Sequence, residues 1–336
     1  MSTMITYEKA VDDMTEVLTK KLRVFANEGR PFHFPRFMQY YAFDVIGQIT
    51  FGQSFGMMQK ECDPTGMLEG VHRVLDYLAR IGLLPDLHPL ARRLTGKDTK
   101  ARALVDYTFG QIDRYRREKN TAASHTQYAT FLQKLLDMHD ADKITMVNIQ
   151  DAAGSNLGAG SDTTAITLSS ALYYLYRNPK VLAKLRCEID TMVTEGRISD
   201  PITFQEAQGM PYLQAVINES FRMHPAVGTI LPRVVPKGGT HVGANAWVLH
   251  YDKEAFGPDA DVYRPERWLQ PEGARESQTG MMFTVCLAPL QKPITMPNAF
   301  QFGAGSRACI GKNIALLEIN KVVPQFARVK LREGVE

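Results

Sequence analysis

A chain of 336 residues, 44% hydrophobic and 22% charged, holds enough apolar material for one large core or two ordinary ones. Its 39 lysines and arginines against 36 acids leave a formal charge of +3, too mild for a nucleic-acid partner, which needs a clustered basic face. The 4 cysteines, Cys62, Cys187, Cys286 and Cys309, form no C-x-x-C pair, which argues against a zinc site or a disulfide scaffold and fits a reducing compartment.

The opening MSTMITYEKAVDDMTEVL lacks the basic flank and apolar stretch of a signal peptide, and no uninterrupted apolar run reaches membrane-spanning length. As written, the chain is expected to be neither secreted nor anchored. Amphipathic spacing predicts a helix from Tyr7 to Asn27, ending at Gly29, and a second from Phe34 to Gly52. Helices over Thr65–Leu84 and Thr99–Lys119 flank a Pro-rich turn, LLPDLHPL, and a short one runs from Gln127 to Met138. The longest, Thr145–Arg177, stops before Pro179 and at 1.5 Å per residue runs roughly 45–50 Å. Asn178–Gly196 and Pro211–Met223 are helical and close at a glycine and at Pro225. The β-branched residues, Pro and Gly of Ile230–Ala246 predict short strands, and Asp252–Glu272 reads as loop. A tight Gly-rich turn at Gly303–Arg307 leads into a helix from about Ile310 to Phe326. With no repeat or long linker, the expectation is a single mainly α domain over residues 1–336 with a little sheet. There is no H-E-x-x-H, no Walker loop and no dinucleotide fingerprint.

Chemistry concentrates at Phe302-Gly-Ala-Gly-Ser-Arg-Ala-Cys-Ile-Gly311. Six fixed positions match by chance on the order of once in 10^5 to 10^6 chains of this length, so the pattern outweighs the ordinary reading of a buried cysteine in a turn. A cysteine bound to iron must be deprotonated, and a helix N-terminus favours that form through its unpaired N–H groups and positive field. Cys309 is expected one residue before such a helix. Gly303 and Gly305 let the backbone bend sharply beside a flat cofactor, and Gly311 has no side chain to collide with a porphyrin. Arg307 can reach a haem propionate, and Phe302 can shield the sulfur from water. The stretch resembles the cysteine signature of the cytochrome P-450 family, in which a thiolate axial ligand favours O–O cleavage.

Inside the longest helix lies Ala159-Gly-Ser-Asp-Thr-Thr164. Gly158 and Gly160 weaken the helix locally, and the Thr163 hydroxyl is expected to bond the carbonyl of Ala159 four residues back and bend it. The bend opens a groove for dioxygen, where Thr163 donates a hydrogen bond and Asp162 relays protons. A helix with packing glycines and a solvated Asp-Thr pair is the plain alternative. The stretch resembles the family's oxygen-binding motif.

Glu219 and Arg222 sit three apart on one predicted helix and so share a face. Downstream, Tyr263-Arg-Pro-Glu-Arg-Trp268 offers a second guanidinium in Arg267, and one carboxylate can accept charge-assisted bonds from two arginines. Surface salt bridges are the alternative for either piece alone. Together they resemble the family's Glu-Arg-Arg triad, which locks the loop before the cysteine, so a structural role for Glu219, Arg222 and Arg267 is implied. Arg233 matches a position that commonly contacts a propionate in the family, and Ala226–Leu231 would then line the substrate pocket. His224 and His250 read as structural.

The resemblance runs from the helix at Tyr7 to the helix after Cys309. YYAFDVIGQITFG, RVVPKGG and NAWVLHYDKEAFGPDADVYRPERWL resemble fungal pisatin-demethylase-like members. It implies haem b (iron protoporphyrin IX) held by Cys309, a hydrophobic substrate of secondary metabolism or detoxification, dioxygen, and an NADPH–cytochrome P-450 reductase. Lys312 would join a basic docking patch for that partner. The family implies the cytosolic face of the endoplasmic reticulum, and a monomer is expected, with no nucleic acid. Against the family pattern the chain is expected to start near the third or fourth helix, so that the anchor, the large sheet and the last strands are not represented. Gly239–Asn245 is expected to be too short for the usual strand–turn–strand. Phe283–Pro297 (FTVCLAPLQKPITMP) reads as an insertion, interpreted as retained intron sequence. The alternatives to a monooxygenase are a truncated remnant that does not hold haem and a haem-dependent isomerase or dehydratase that uses no dioxygen.

Overall fold

The computed structural model describes residues 2–95, 99–119, 128–235, 239–269, 302–303 and 305–328. The chain divides into two compact units, residues 1–165 and 166–336. The first contains α1 (Ser2–Glu28), α2 (Phe34–Phe51), α3 (Met57–Lys60), α4 (Met67–Ile81), α5 (His88–Thr95), α6 (Thr99–Lys119) and α7 (Phe131–Asp140). It also contains the first part of the 32-residue α8 (Met146–Arg177).

In that unit α2 is the central helix. Phe37, Met38, Tyr41, Phe43, Val45, Ile46 and Ile49 are all buried, because its apolar residues leave no polar stripe for solvent. α2 begins on the His33 ring, whose Nδ1 accepts from the Arg36 N–H at 3.2 Å. It ends on Gly52, whose φ of 74° lets its N–H return to the Gln48 carbonyl at 3.0 Å. α1 packs against α2, and Thr15 and Tyr41 share a buried hydrogen bond of 3.0 Å. Asp44, fully buried, accepts from the N–H groups of Met57 (3.2 Å) and Met58 (2.9 Å) and so satisfies the first turn of α3. The Pro-rich stretch differs from expectation. A 3₁₀ turn at Pro85–Leu87 runs directly into α5, because Pro89 falls in a first turn where its missing N–H has no intrahelical partner.

The second unit holds the rest of α8, then α9 (Pro179–Thr194), α10 (Phe204–Gln208), α11 (Pro211–Met223), α12 (Ala246–Leu249), α13 (Lys253–Phe256) and α14 (Lys312–Arg328). α14 packs on α9 and α10, and α11 packs on α9, α10 and a 3₁₀ turn at Pro265–Leu269. Leu213, Val216, Ile217, Phe221, Leu317, Ile319, Val322 and Val323 are buried in this unit. α11 starts at Pro211 and ends at Met223, as its sequence predicts. Asp252–Glu272, expected as loop, instead contains α13 and the 3₁₀ turn. The Asp252 carboxylate caps α13 by accepting from Glu254 (2.7 Å) and Ala255 (3.2 Å). β1 (Arg233–Val234) and β2 (His241–Val242) pair antiparallel, Arg233 opposite Val242 and Val234 opposite His241. Within Gly239–Asn245 only His241–Val242 is strand, and its partner β1 lies upstream of the segment. Among the described residues no helix is long and apolar enough to cross a membrane. Phe283–Pro297 lies outside the described residues.

Candidate active site

The second unit buries a charge cluster on α11. Glu219, Arg222 and Arg267 have no exposed side-chain surface. Glu219 Oε1 accepts from Arg222 Nη2 (2.8 Å), Arg267 Nε (2.9 Å) and the Arg264 N–H (2.9 Å). Oε2 accepts from Arg222 Nε (3.0 Å) and Trp268 Nε1 (2.8 Å). The two guanidiniums spend their remaining donors on carbonyls: Arg222 on His250 and Ala260, both at 2.6 Å, and Arg267 on Phe256 at 2.6 Å and Asp259 at 3.1 Å. A buried carboxylate with five donors satisfies the rule that buried charge must be paired and hydrogen-bonded. The cluster ties α11 to the whole segment from His250 to Trp268. Beside it, the Tyr263 ring stacks on Tyr174 at 4.8 Å, and its hydroxyl lies 3.0 Å from Ser220 Oγ. Burial raises the Tyr263 phenol pKa far above its ordinary value, so it stays protonated.

His250 belongs to the same cluster. It is 1% exposed, and its Nδ1 donates to the Arg222 carbonyl at 3.0 Å. Burial, against the partial compensation of that bond, pushes its pKa down to about 4. His224 packs edge-on against Trp247 at 5.0 Å.

The cysteine loop is closed by a bond from the Cys309 N–H to the Phe302 carbonyl at 2.7 Å. Gly303 turns the chain at φ 69°, a region that disfavours a side chain, and Gly305–Arg307 forms a 3₁₀ turn. Phe302 sets its ring edge-on against Phe221 of α11 at 5.4 Å, with Lys312 Nζ 5.7 Å from the ring centre. Cys309 is an exposed free thiol, and a Cβ on Gly311 would stand 3.8 Å from its sulfur. α14 begins at Lys312, three residues beyond Cys309 rather than one, because Cys309–Gly311 forms a turn before the helical bonds start, with Ala315 N–H on Gly311 O at 3.0 Å. Arg307 is exposed. Arg233, on β1 and also exposed, donates Nη1 to the Leu231 and Pro232 carbonyls at 2.9 and 3.2 Å.

In the first unit, Thr163 Oγ1 donates to the Ala159 carbonyl at 2.9 Å, and Ser161 Oγ makes the same kind of bond to Leu157 at 2.8 Å. α8 stays helical through both. Gly160 serves close packing: a Cβ there would sit 3.4 Å from the Ile46 side chain of α2. Asp162 Oδ1 accepts from Gln39 Nε2 at 2.7 Å and lies 3.6 Å from His72 Nε2.

Sequence reasoning missed Trp268, Gln39 and His72 as partners of these carboxylates. The tryptophan directly follows the Arg267 motif and was within reach of inference. Gln39 and His72 are 123 and 90 residues from Asp162 by number, and nothing local marks them.

A mainly helical chain with a glycine-turned cysteine loop ahead of a helix, a five-donor carboxylate and a long helix with an Asp-Thr pair defines a haem–thiolate class of fold. The family model described as Cytochrome P450 matches residues 1–328, and the chain belongs to the cytochrome P450 family. Two proteins named pisatin demethylase from Fusarium vanettenii are 42% and 41% identical to it, each over 98% of this chain and 62% and 64% of their own lengths. A cytochrome P450 monooxygenase, cicH, of Emericella nidulans is 31% identical over 97% of this chain and 65% of its own length. The chain thus spans less than two thirds of these curated relatives. The crystal structure of a cytochrome P450 (CYP102L1) superposes with a TM-score of 0.71 at 22% identity, over 97% of this chain and 68% of that one, which shows the fold.

Family membership implies haem with a cysteine thiolate ligand. The residues present fit that group. The loop presents a single exposed thiol, the hydrogen-only face of Gly311 lies beside it, and the sulfur is a donor suited to haem iron.

Proposed function

We propose that this chain carries the haem-holding and proton-handling parts of a monooxygenase. The reaction places one oxygen atom of dioxygen in a C–H bond of a hydrophobic small molecule and reduces the other to water. Its two electrons come from NADPH through a flavoprotein reductase. Haem, when bound, supplies the activation of dioxygen, and a thiolate ligand favours that chemistry. The chain's own residues do the rest. Cys309 Sγ is the donor to iron. Arg307 and Arg233, both exposed cations, neutralise the propionates. Gly303, Gly305 and Gly311 let the backbone approach the porphyrin, and Phe302 packs beside the thiolate. Asp162 Oδ1 and Thr163 Oγ1 hold and pass protons. Glu219, Arg222 and Arg267 fix the segment that precedes the loop. Lys312 contributes to a basic face for the reductase.

The names of the two Fusarium vanettenii relatives support a substrate that carries a methyl group to be removed by oxidation, a hydrophobic compound of fungal secondary metabolism or detoxification. The reading places the protein, as a monomer, at the cytosolic face of the endoplasmic reticulum.

The observation that carries the reading is the loop closed by Cys309 on Phe302 with its sulfur beside Gly311. The test is turnover of the haem-supplied chain with a P450 reductase and NADPH, in air and under argon. Product formed only with dioxygen and NADPH is expected. Product formed without dioxygen identifies an isomerase or dehydratase and overturns the reading.

A further inference from the structure

Asp162 shares one amide group with a histidine. Gln39 Nε2, on α2, stands 2.7 Å from Asp162 Oδ1 and 2.7 Å from His72 Nε2 on α4. His72 Nε2 itself is 3.6 Å from the same carboxylate oxygen. An amide nitrogen carries two hydrogens and accepts none. Both short contacts are made at once only if Gln39 gives one hydrogen to the carboxylate and the other to the ring. In that arrangement His72 Nε2 accepts the hydrogen bond and carries no hydrogen of its own.

A proton added at Nε2 reverses this arrangement. The ring nitrogen becomes a donor, so the Gln39 nitrogen must leave it, and Asp162 Oδ1 stands 3.6 Å away as an acceptor. The side chains are graded toward water, His72 at 41% exposed and Asp162 at 14%. A ring this exposed is a poor structural pillar, but it meets solvent protons at one end and a sheltered carboxylate at the other.

We propose that His72 feeds protons from solvent to Asp162, with Gln39 as the amide gate that separates them between transfers. The proton passes from water to His72 Nε2 as Gln39 turns aside. It then moves from Nε2–H to Asp162 Oδ1, which leaves the ring neutral and the carboxyl protonated for delivery. No electrons move; each passage along the relay carries one solvent proton, and one turnover takes two. His72 and Gln39 are positioning residues that act through Asp162. The inference rests on the monooxygenase reading, in which Asp162 handles protons.

The experiment pairs a structural readout with turnover. Histidine labelled with 15N, read by NMR at neutral pH, reports the His72 tautomer; Nδ1–H with a bare, hydrogen-bonded Nε2 is expected, and an Nε2–H ring overturns the proposal whether or not the chain turns over. In turnover, His72→Phe and Gln39→Leu are expected to lower product formed per NADPH about tenfold with substrate affinity unchanged and a larger solvent deuterium isotope effect. The double variant His72→Phe/Asp162→Asn is expected to be no worse than Asp162→Asn alone. Full coupling in both single variants, or additive losses in the double variant, overturns the proposal. His72→Gln, polar and of similar reach, separates loss of the proton carrier from loss of fold. A parent chain that fails alongside its variants overturns the monooxygenase reading itself, and this inference with it.

Discussion

Trp268 donates its indole N–H to Glu219 Oε2 at 2.8 Å, on a carboxylate already held by Arg222 and Arg267. The three donor side chains leave that carboxylate fully paired without water. Glu219→Ala strands two buried guanidiniums, so it is expected to cost about 3–5 kcal/mol. Trp268→Phe keeps an aromatic ring, though a smaller one, and loses one charge-assisted bond, at about 1.5–3 kcal/mol. Urea unfolding of the three proteins checks the order, and Glu219→Ala is also expected to lose haem before substrate choice changes. A Glu219→Ala chain as stable as the parent, with normal haem, contradicts the assignment.

His250 sets an acid limit on stability. Its pKa is held down to about 4 by burial, from an ordinary 6.5. The unfolded chain therefore takes up a proton that the folded chain refuses between those values. The stabilisation is fully present above about pH 6.5 and is lost as pH falls toward 4, by roughly 3 kcal/mol at most. His250→Gln is expected to flatten the unfolding free energy across that window, read by denaturant titrations at pH 7, 5.5 and 4.5. A parallel slope in parent and variant would contradict this.

Gly311 separates protein stability from cofactor retention. A Cβ there makes ordinary contact with the Cys309 sulfur at 3.8 Å, so Gly311→Ala is expected to change chain stability by no more than about 1 kcal/mol. On the proposed haem placement the same methyl group would intrude on the porphyrin face, so haem content at limiting haem is expected to drop several-fold. The check is thermal unfolding of the haem-free chain beside haem titration. Equal haem affinity in the two proteins goes against the placement.

Much of this was readable from the residues. Helices α6 and α11 fall where Thr99–Lys119 and Pro211–Met223 predict them, because periodic apolar faces end at clear breakers such as Pro225. The Thr163 back-bond to Ala159 follows from helix geometry alone. The short helices α10, α12 and α13 were not legible, since four or five residues carry too little periodicity and their caps depend on packing. The helix after Cys309 starts later than the spacing predicts because a turn bond, from the Lys312 N–H to the Cys309 carbonyl at 3.4 Å, spans Ile310 and Gly311 first. Gln39 and His72 were invisible because α2 and α4 meet Asp162 only once the first unit has folded.

The central claim is that the Cys309 sulfur holds haem iron, and the most direct measurement compares the parent chain with Cys309→Ser, each supplied with haem, reduced and exposed to carbon monoxide. A strongly red-shifted Soret band is expected in the parent and its loss in the serine variant, with a matching change in the ferric electron-spin spectrum. Identical spectra from the two proteins would contradict it.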